Sequence, residues 1–512
     1  MKITNLKTGE VCFGEKGQLL SEVLCRHHLF LSAPCGGMGT CGKCKIALLP
    51  TDTPVSPQDL RLLTPAELKN GWRLACTFSL SEDIAFFPPE EDAGEVRIQK
   101  QSNDDSFAVA IDIGTTTIEA ALVGQSGETL ARISMLNRQK AFGADVISRI
   151  QYTMEHPDGL SVLHQILVQQ INEMIDRLTE AYGCPGSAVK KAVVVGNTTL
   201  LHLLTNRDPR PIAFYPFTPP VTDAQLLSPE ALPLHAEEIA ILPCISAYIG
   251  ADITANMLHF DLAHAKEAVL IADIGTNGEM ALAANGRILC CSAAAGPAFE
   301  GANISCGTGG IPGGICRVWL EENRLRFRTI GDQAAVGLCG SGAVDLLALL
   351  LELGIVDSSG RIAAFSEVPS IAGMKVYRQA VREVGGEKRV FLTEHIWLSA
   401  KDIREFQLAK SALVSGMQIL LREIGRTAPD RLILTGGLGT HLNPESALRI
   451  GLLTPAWKEV AETAENGALA GAVQCIRPEE WERSERYQTY CTCLDLSTHP
   501  DFAECYLRNM NF

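Results

Sequence analysis

Two stretches of this chain nearly repeat one another, and that echo restricts the fold more than any other feature. AVAIDIGTTTIEAALV (108–123) and VLIADIGTNGEMALA (269–283) each read as an apolar β-rich run, an Asp-Ile-Gly-Thr turn and a second strand-like run. A chain carrying this unit twice, with Asp112 and Asp273 at matching positions, is expected to build two related halves with a site between them. KAVVVGN (191–197) and RLILTGG (431–437) also end in Asn or Gly, where ligand loops sit in open α/β sheets. Helical periodicity separates the runs at ADVISRIQYTMEH (144–156), LVQQINEMIDRLTEAY (167–182) and REFQLAKSALVSGMQILLREIG (404–425). From Phe107 onward the alternation predicts an α/β fold.

The 512 residues allow two to four domains. With 44 basic against 59 acidic residues and a net charge of −15, the chain lacks the basic footprint of a duplex nucleic-acid binder. The opening MKITNLKTGEVCF has no apolar signal core, and no run is long and apolar enough for a transmembrane helix. The 17 cysteines are odd in number and scattered, which predicts a cytoplasmic protein with reduced thiols, some of them on metal.

Cys35, Cys41, Cys44 and Cys76 form a C-x5-C-x2-C-x31-C pattern in residues 1–97. Three thiolates on one loop and a distant fourth are the ferredoxin arrangement for a [2Fe–2S] cluster. Gly36, Gly37, Gly39 and Gly42 suit a loop that wraps closely round an inorganic core. A structural zinc site is the alternative, but zinc sites show two short Cys pairs and Cys76 has no near partner. Met38 faces a redox partner or fills a gap beside the cluster. Cys12, Cys25, Cys475, Cys491, Cys493 and Cys505 are expected to be structural thiols, since the late ones fit no second cluster spacing.

The repeated turns suit phosphate. Gly114, Thr115 and Thr116 in the first, and Gly275, Thr276 and Asn277 in the second, offer backbone N–H and side-chain donors to a nucleotide. Asp112 and Asp273 would hold Mg²⁺ through water or orient the attacking nucleophile. Either motif alone reads equally as a tight strand-to-strand turn; the pair, followed by a strand ending in Gly436-Gly437, does not. Gly340, Ser341 and Gly342 line the nucleotide or merely start a helix, and Glu300 belongs to the cleft, to a partner surface, or to the start of a helix. No P-loop is present.

These motifs resemble the acetate and sugar kinase, heat-shock chaperone and actin (ASKHA) superfamily. In that resemblance DIGTTT (112–117) and DIGTNGEM (273–280) are the two phosphate motifs, and LILTGGLGT (432–440) is the adenosine motif. PCISAYIGADITANM (243–257) and NGALAGAV (466–473) correspond to the connecting helices. The whole chain resembles the reductive activators of corrinoid-dependent enzymes, on GWRLACT (71–77), FGADVISRIQ (142–151), VVGNTTLLHLL (194–204), CSAAAGPAFEGANISCG (291–307), GLCGSGAVDLLALLLELG (337–354), DIREFQLAKSAL (402–413) and the terminal NMNF (509–512).

The resemblance implies an α+β ferredoxin-like (β-grasp) domain over 1–97, a linker over 98–106, and a duplicated α/β actin-like (RNase H-like) ATPase over 107–512, its second half beginning near 265. The short stretch between Pro89 and Phe107 departs from members with an additional middle domain. It also implies ATP, Mg²⁺ and a [2Fe–2S] cluster as cofactors, with Co(II) of a corrinoid protein returned to Co(I). A low-potential ferredoxin or flavodoxin is the implied reductant, and a homodimer is allowed. Three rivals stay open: an activator of another low-potential enzyme such as a 2-hydroxyacyl-CoA dehydratase, a small-molecule kinase with a redox sensor, and a plain electron carrier with a regulatory nucleotide domain.

Overall fold

The computed structural model describes residues 1–27, 29–31, 37, 39, 42–88, 94–301 and 303–512. Cys35, Met38 and Cys41 lie outside the described residues.

Alternation of apolar residues builds the first domain. In KIALL (Lys45–Leu49) Ile46 and Leu48 point inward, and Leu20, Val23 and Leu24 of the helix Leu20–Arg26 join them in one core with Phe78 and Phe86. The five strands lie in the order Val11–Phe13, Lys2–Asn5, Ile84–Phe87, Lys45–Leu49, Trp72–Leu74. The central Lys2–Asn5 and Ile84–Phe87 run parallel and the other neighbours antiparallel, a β-grasp arrangement. Lys45 pairs with Leu74, so Cys44 and Cys76 emerge at the same end of the sheet.

Two larger sheets share one plan. In the first, Phe107–Ile113, Thr117–Val123 and Thr129–Leu136 form an antiparallel meander, the helix Gly159–Tyr182 crosses over, and Val189–Gly196 and Glu238–Ile241 add in parallel. The second repeats this with Val269–Ile274, Gly278–Ala284 and Arg287–Ala293, the helix Ala400–Glu423, then Arg431–Thr435 and Ala461–Thr463. Even the register is repeated: Asp112 faces Glu119 across its hairpin, and Asp273 faces Glu279. Both crossover helices have 24 residues. The first buries Leu163, Leu167, Ile171, Met174 and Leu178 at helical spacing and ends at Gly183, left-handed at φ +84°. The second opens with a Ser399–Asp402 capping box.

After its last parallel strand each half carries a short helix, Ala251–His259 or Gly467–Gln474, and the two cross with backbone in contact. A Cβ on Gly471 would fall 2.1 Å from the Ala255 carbonyl oxygen, so only glycine fits that crossing.

Arg97–Ile98 pairs with Thr129–Leu136 as an edge strand of the first large sheet, so the stretch expected as linker over 98–106 starts inside that strand. The cysteine domain touches both halves. Phe30 and Cys25 pack on the core of the first, with the Arg138 guanidinium 5.8 Å from the Phe30 ring. Lys43 Nζ donates to the Gly307 carbonyl of the second at 3.4 Å. Among the described residues no helix is long and apolar enough to cross a membrane.

Candidate nucleotide cleft and thiol site

The motif aspartates end the leading strands of the two sheets, and each is held by the connecting helix of the opposite half. Asn466 caps Gly467–Gln474 by accepting the Leu469 N–H at 2.8 Å, and its Nδ2 donates to Asp112 Oδ2 at 2.8 Å and to Glu119 Oε2 at 3.2 Å. Reciprocally, Asn256 Nδ2 on Ala251–His259 donates to Asp273 Oδ2 at 3.1 Å. The exchange places the two aspartates across one cleft.

The phosphate-type loops meet on a single carboxylate. Thr116 Oγ1 donates to Glu300 Oε2 at 2.6 Å, and Thr276 Oγ1 donates to the same oxygen. Behind the first loop, Asn137 Nδ2 donates to the Gly114 carbonyl at 2.9 Å and Asn197 Nδ2 to Thr115 Oγ1 at 3.2 Å. The buried Arg149 guanidinium donates to the Thr115 carbonyl, and to the Gly143 carbonyl and Gln139 Oε1 at 3.2 Å each. Burial lowers Arg149 to about 10, with Asp145 and Glu300 opposing. In the second loop the Gly275 N–H donates to the Asn277 carbonyl at 3.1 Å.

Buried acid is concentrated here. Burial, with the neighbouring Asp273, pushes Asp252 up to about 7. Burial, reinforced by Glu300 and opposed by the Asn256 amide, pushes Asp273 up to about 6. Asp112 and Glu279 are driven well above the ordinary carboxyl range, first by burial and then by Asp252 and Asp273; Glu119 adds to the rise of Asp112, which the Asn466 amide opposes, and Asp112 adds to that of Glu279. Glu279 Oε1 is buried and has no hydrogen-bond partner among the described residues. No cationic side chain is among the groups that shift these acids, a charge pattern that a divalent cation would suit. No three of these acids converge closely enough to grip an ion directly among the described residues.

The glycines divide by what surrounds them. Gly436, at φ +83°, abuts Asp273: a Cβ there would fall 2.2 Å from Asp273 Oδ1. Gly437 faces open space, with nothing within 4 Å of its Cβ position. Gly340 and Gly342 are close-packing residues, their Cβ positions 1.7 Å from the Phe299 carbonyl oxygen and 2.3 Å from that of Ile315. The Ser341 hydroxyl donates to the Cys316 carbonyl at 3.0 Å. These three start the helix Gly340–Glu352 directly behind Phe299-Glu300.

At the thiol end Cys44 and Cys76 are 1% and 4% exposed, with sulfurs 3.2 Å apart. That separation is too long for a disulfide and close enough for two ligands of one centre. Gly37, Gly39 and Gly42 on the same loop all have left-handed φ, at +85°, +66° and +68°. A Cβ on Gly39 would fall 2.8 Å from Thr77 Cγ2. The described half of the ligand set therefore fits a cluster. Of the thiols expected to be structural, Cys12, Cys475 and Cys505 are buried and Cys25 and Cys491 half-buried, whereas Cys493 is exposed at the sheet edge.

Sequence reasoning missed Asn137, Arg149, Asn197, Asp252, Asn256, Glu279 and Asn466. A signal existed for three of them: Asn137, Asn197 and Asn466 stand at helix N-caps after a strand, where Asn is favoured.

A family described as the C-terminal domain of RACo, the ASKHA domain, matches residues 267–512, and one described as the RACo middle region matches 107–265. The stretch matched as the middle region builds most of the first large sheet. The corrinoid activation enzyme RamQ of Eubacterium limosum is 31% identical over 420 residues, 79% of this chain and 70% of that protein. The Co(II) methylated amine-specific corrinoid protein reductase of Methanosarcina barkeri is 25% identical over 407 residues, 72% of this chain and 70% of its own. One component of the Na(+)-translocating NADH-quinone reductase of Yersinia enterocolitica is 35% identical over 75 residues, 15% of this chain and 18% of its own. A solved structure of a reductive activator for a corrinoid, iron-sulfur protein superposes with a TM-score of 0.72 at 27% identity, covering 100% of this chain and 98% of that one.

Proposed function

We infer from the cleft that this chain, which belongs to the RACo family of corrinoid-activating proteins, is an ATP-dependent reductive activator that returns an inactive Co(II) corrinoid protein to Co(I). The observation that carries the reading is the meeting of both phosphate-type loops on Glu300, in one chain with the paired thiols Cys44 and Cys76.

Cys35, Cys41, Cys44 and Cys76 hold a [2Fe–2S] cluster, which supplies one electron at low potential. Thr115 and Thr116 on one side, and Thr276 and Asn277 on the other, bind the phosphates of ATP, while Gly437 leaves room for the rest of the nucleotide. Asp112 and Asp273 would hold Mg²⁺, which would neutralise phosphate charge, and would orient the attacking water, with Asp252 and Glu279 beside them adding acidic groups to the site. Asn256 and Asn466 keep both aspartates facing the cleft.

Energetics explain why one chain carries both modules. Plant-type clusters lie near about −400 mV. A cobalt couple about 120 mV lower makes one-electron transfer uphill by about 2.8 kcal/mol. Different ATP affinity for two arrangements of the halves offsets such a deficit, because a ligand shifts an equilibrium by its differential affinity. The upstream reductant is a low-potential ferredoxin or flavodoxin.

Asp273→Ala tests the reading. The variant is expected to keep its visible cluster absorbance and lose both ATP turnover and ATP-dependent Co(I) formation. Normal turnover would remove Asp273 from its role.

A further inference from the structure

One loop of the second half touches both the nucleotide cleft and the cysteine domain. At its start Glu300 accepts the Thr116 and Thr276 hydroxyls. At its end the Gly307 carbonyl accepts from Lys43 Nζ at 3.4 Å, and Lys43 directly precedes Cys44.

The ends of this loop lie backbone on backbone. A Cβ on Gly307 would fall 2.0 Å from the Gly301 carbonyl oxygen, and one on Gly301, at φ +75°, would fall 2.3 Å from that of Thr308. The Ser305 N–H and hydroxyl both donate to Asp402 Oδ1, at 2.8 and 3.0 Å, fixing the loop to the start of Ala400–Glu423. A displacement of Glu300 is therefore carried to Gly307 rather than absorbed between them.

Cations gather at the same place. Burial holds the Lys140 ammonium below its ordinary value; the nearby Glu300 opposes this, and Arg149 and Lys43 add to it. The charge on the cysteine loop is thus felt beside the cleft. Phosphate oxygens and the Glu300 carboxylate are the same kind of acceptor. A terminal phosphate arriving between Thr116 and Thr276 competes with Glu300 for both hydroxyls and repels its charge.

We propose that Glu300 and Lys43 are positioning residues that couple the nucleotide cleft to the cluster-bearing loop, with the packing of Gly301 on Gly307 and Thr308 as the connecting piece. ATP displaces Glu300 from the threonines, the loop shifts, and the carbonyl held by Lys43 moves with it. The coupling rests on the reading of the chain as an ATP-dependent activator.

The test uses the full-length holoprotein, reduced anaerobically, with a non-hydrolysable ATP analogue as probe. The readout is the EPR spectrum of the reduced cluster, with nucleotide affinity measured separately. The wild-type spectrum is expected to change on analogue binding. Lys43→Met should keep the cluster and the affinity but lose the change, and Lys43→Arg should restore it. Glu300→Ala should lose the change as well. A full nucleotide response in Lys43→Met overturns the proposal, and so does a wild-type spectrum indifferent to the analogue. Co(I) formation by the wild type, followed in parallel with and without MgATP, separates this from the underlying reading, which fails if MgATP yields no Co(I) or if Co(I) appears equally without it.

Discussion

Two adjacent glycines are expected to respond in opposite ways to one methyl group. In Gly436→Ala the new Cβ falls 2.2 Å from Asp273 Oδ1 and 2.9 Å from the Ile274 nitrogen, on a residue at φ +83°. Left-handed backbone costs a non-glycine residue about 1–2 kcal/mol. Overpacking against the fixed strand end costs about 1–3 kcal/mol more. Together these come to about 3 kcal/mol, and the carboxylate that must give way is the one Asn256 holds. The variant should unfold several degrees below wild type and lose most ATP turnover, since about 1.4 kcal/mol is already tenfold in rate. In Gly437→Ala the methyl meets nothing within 4 Å. That variant should keep its stability to within about 0.5 kcal/mol, and any loss should appear in nucleotide affinity alone. Differential scanning calorimetry and isothermal titration with ADP, run on both variants, decide the matter. Gly436→Ala with wild-type unfolding and turnover would refute the placement of Asp273 against this turn.

Cys41→Ala should bleach the visible cluster absorbance while nucleotide binding, measured by titration, survives. Asn466→Ala removes a helix cap worth about 1 kcal/mol and the donor to Asp112. It should lower both the unfolding temperature and turnover, whereas loss of the cap alone would leave turnover intact. The buried acids set a pH dependence. Asp273 at about 6 and Asp252 at about 7 lie above the ordinary carboxyl value, so the folded state binds more protons than the unfolded chain. Stability of the metal-free protein should therefore fall as pH rises from about 4 to about 7. Mg²⁺ with ADP should flatten the fall by favouring the charged forms. Unfolding temperatures at several pH values check this, and a rise through that window would contradict it.

The strands were legible because each is a short apolar run ending in a turn, and the duplication was legible because the second copy kept Asp-Ile-Gly-Thr intact. The crossover helices were legible from their periodicity, and the sequence pointed to both connecting helices. What joins the halves was not. Asn466 reaches Asp112 and Asn256 reaches Asp273 across the cleft, and neither amide carries a local pattern beyond the helix cap at Asn466. Asp252 stands in the first turn of a helix, an ordinary place for an acid, and only burial and the nearby Asp273 set it apart. At Gly340-Ser341-Gly342 the sequence left ligand loop and helix start open; the carbonyls of Phe299 and Ile315 leave no room for a Cβ, a reason for glycine that only packing reveals. Glu300 stood between cleft, partner surface and helix start in the sequence, and two threonine hydroxyls place it in the cleft.

The most direct measurement mixes the anaerobically reduced holoprotein with Co(II) corrinoid proteins encoded near its gene and follows Co(I) absorbance with and without MgATP. Co(I) appearing only with MgATP is the predicted result. Co(I) appearing equally without it, or ATP hydrolysis with no Co(I) across intact partners, would contradict the activator reading.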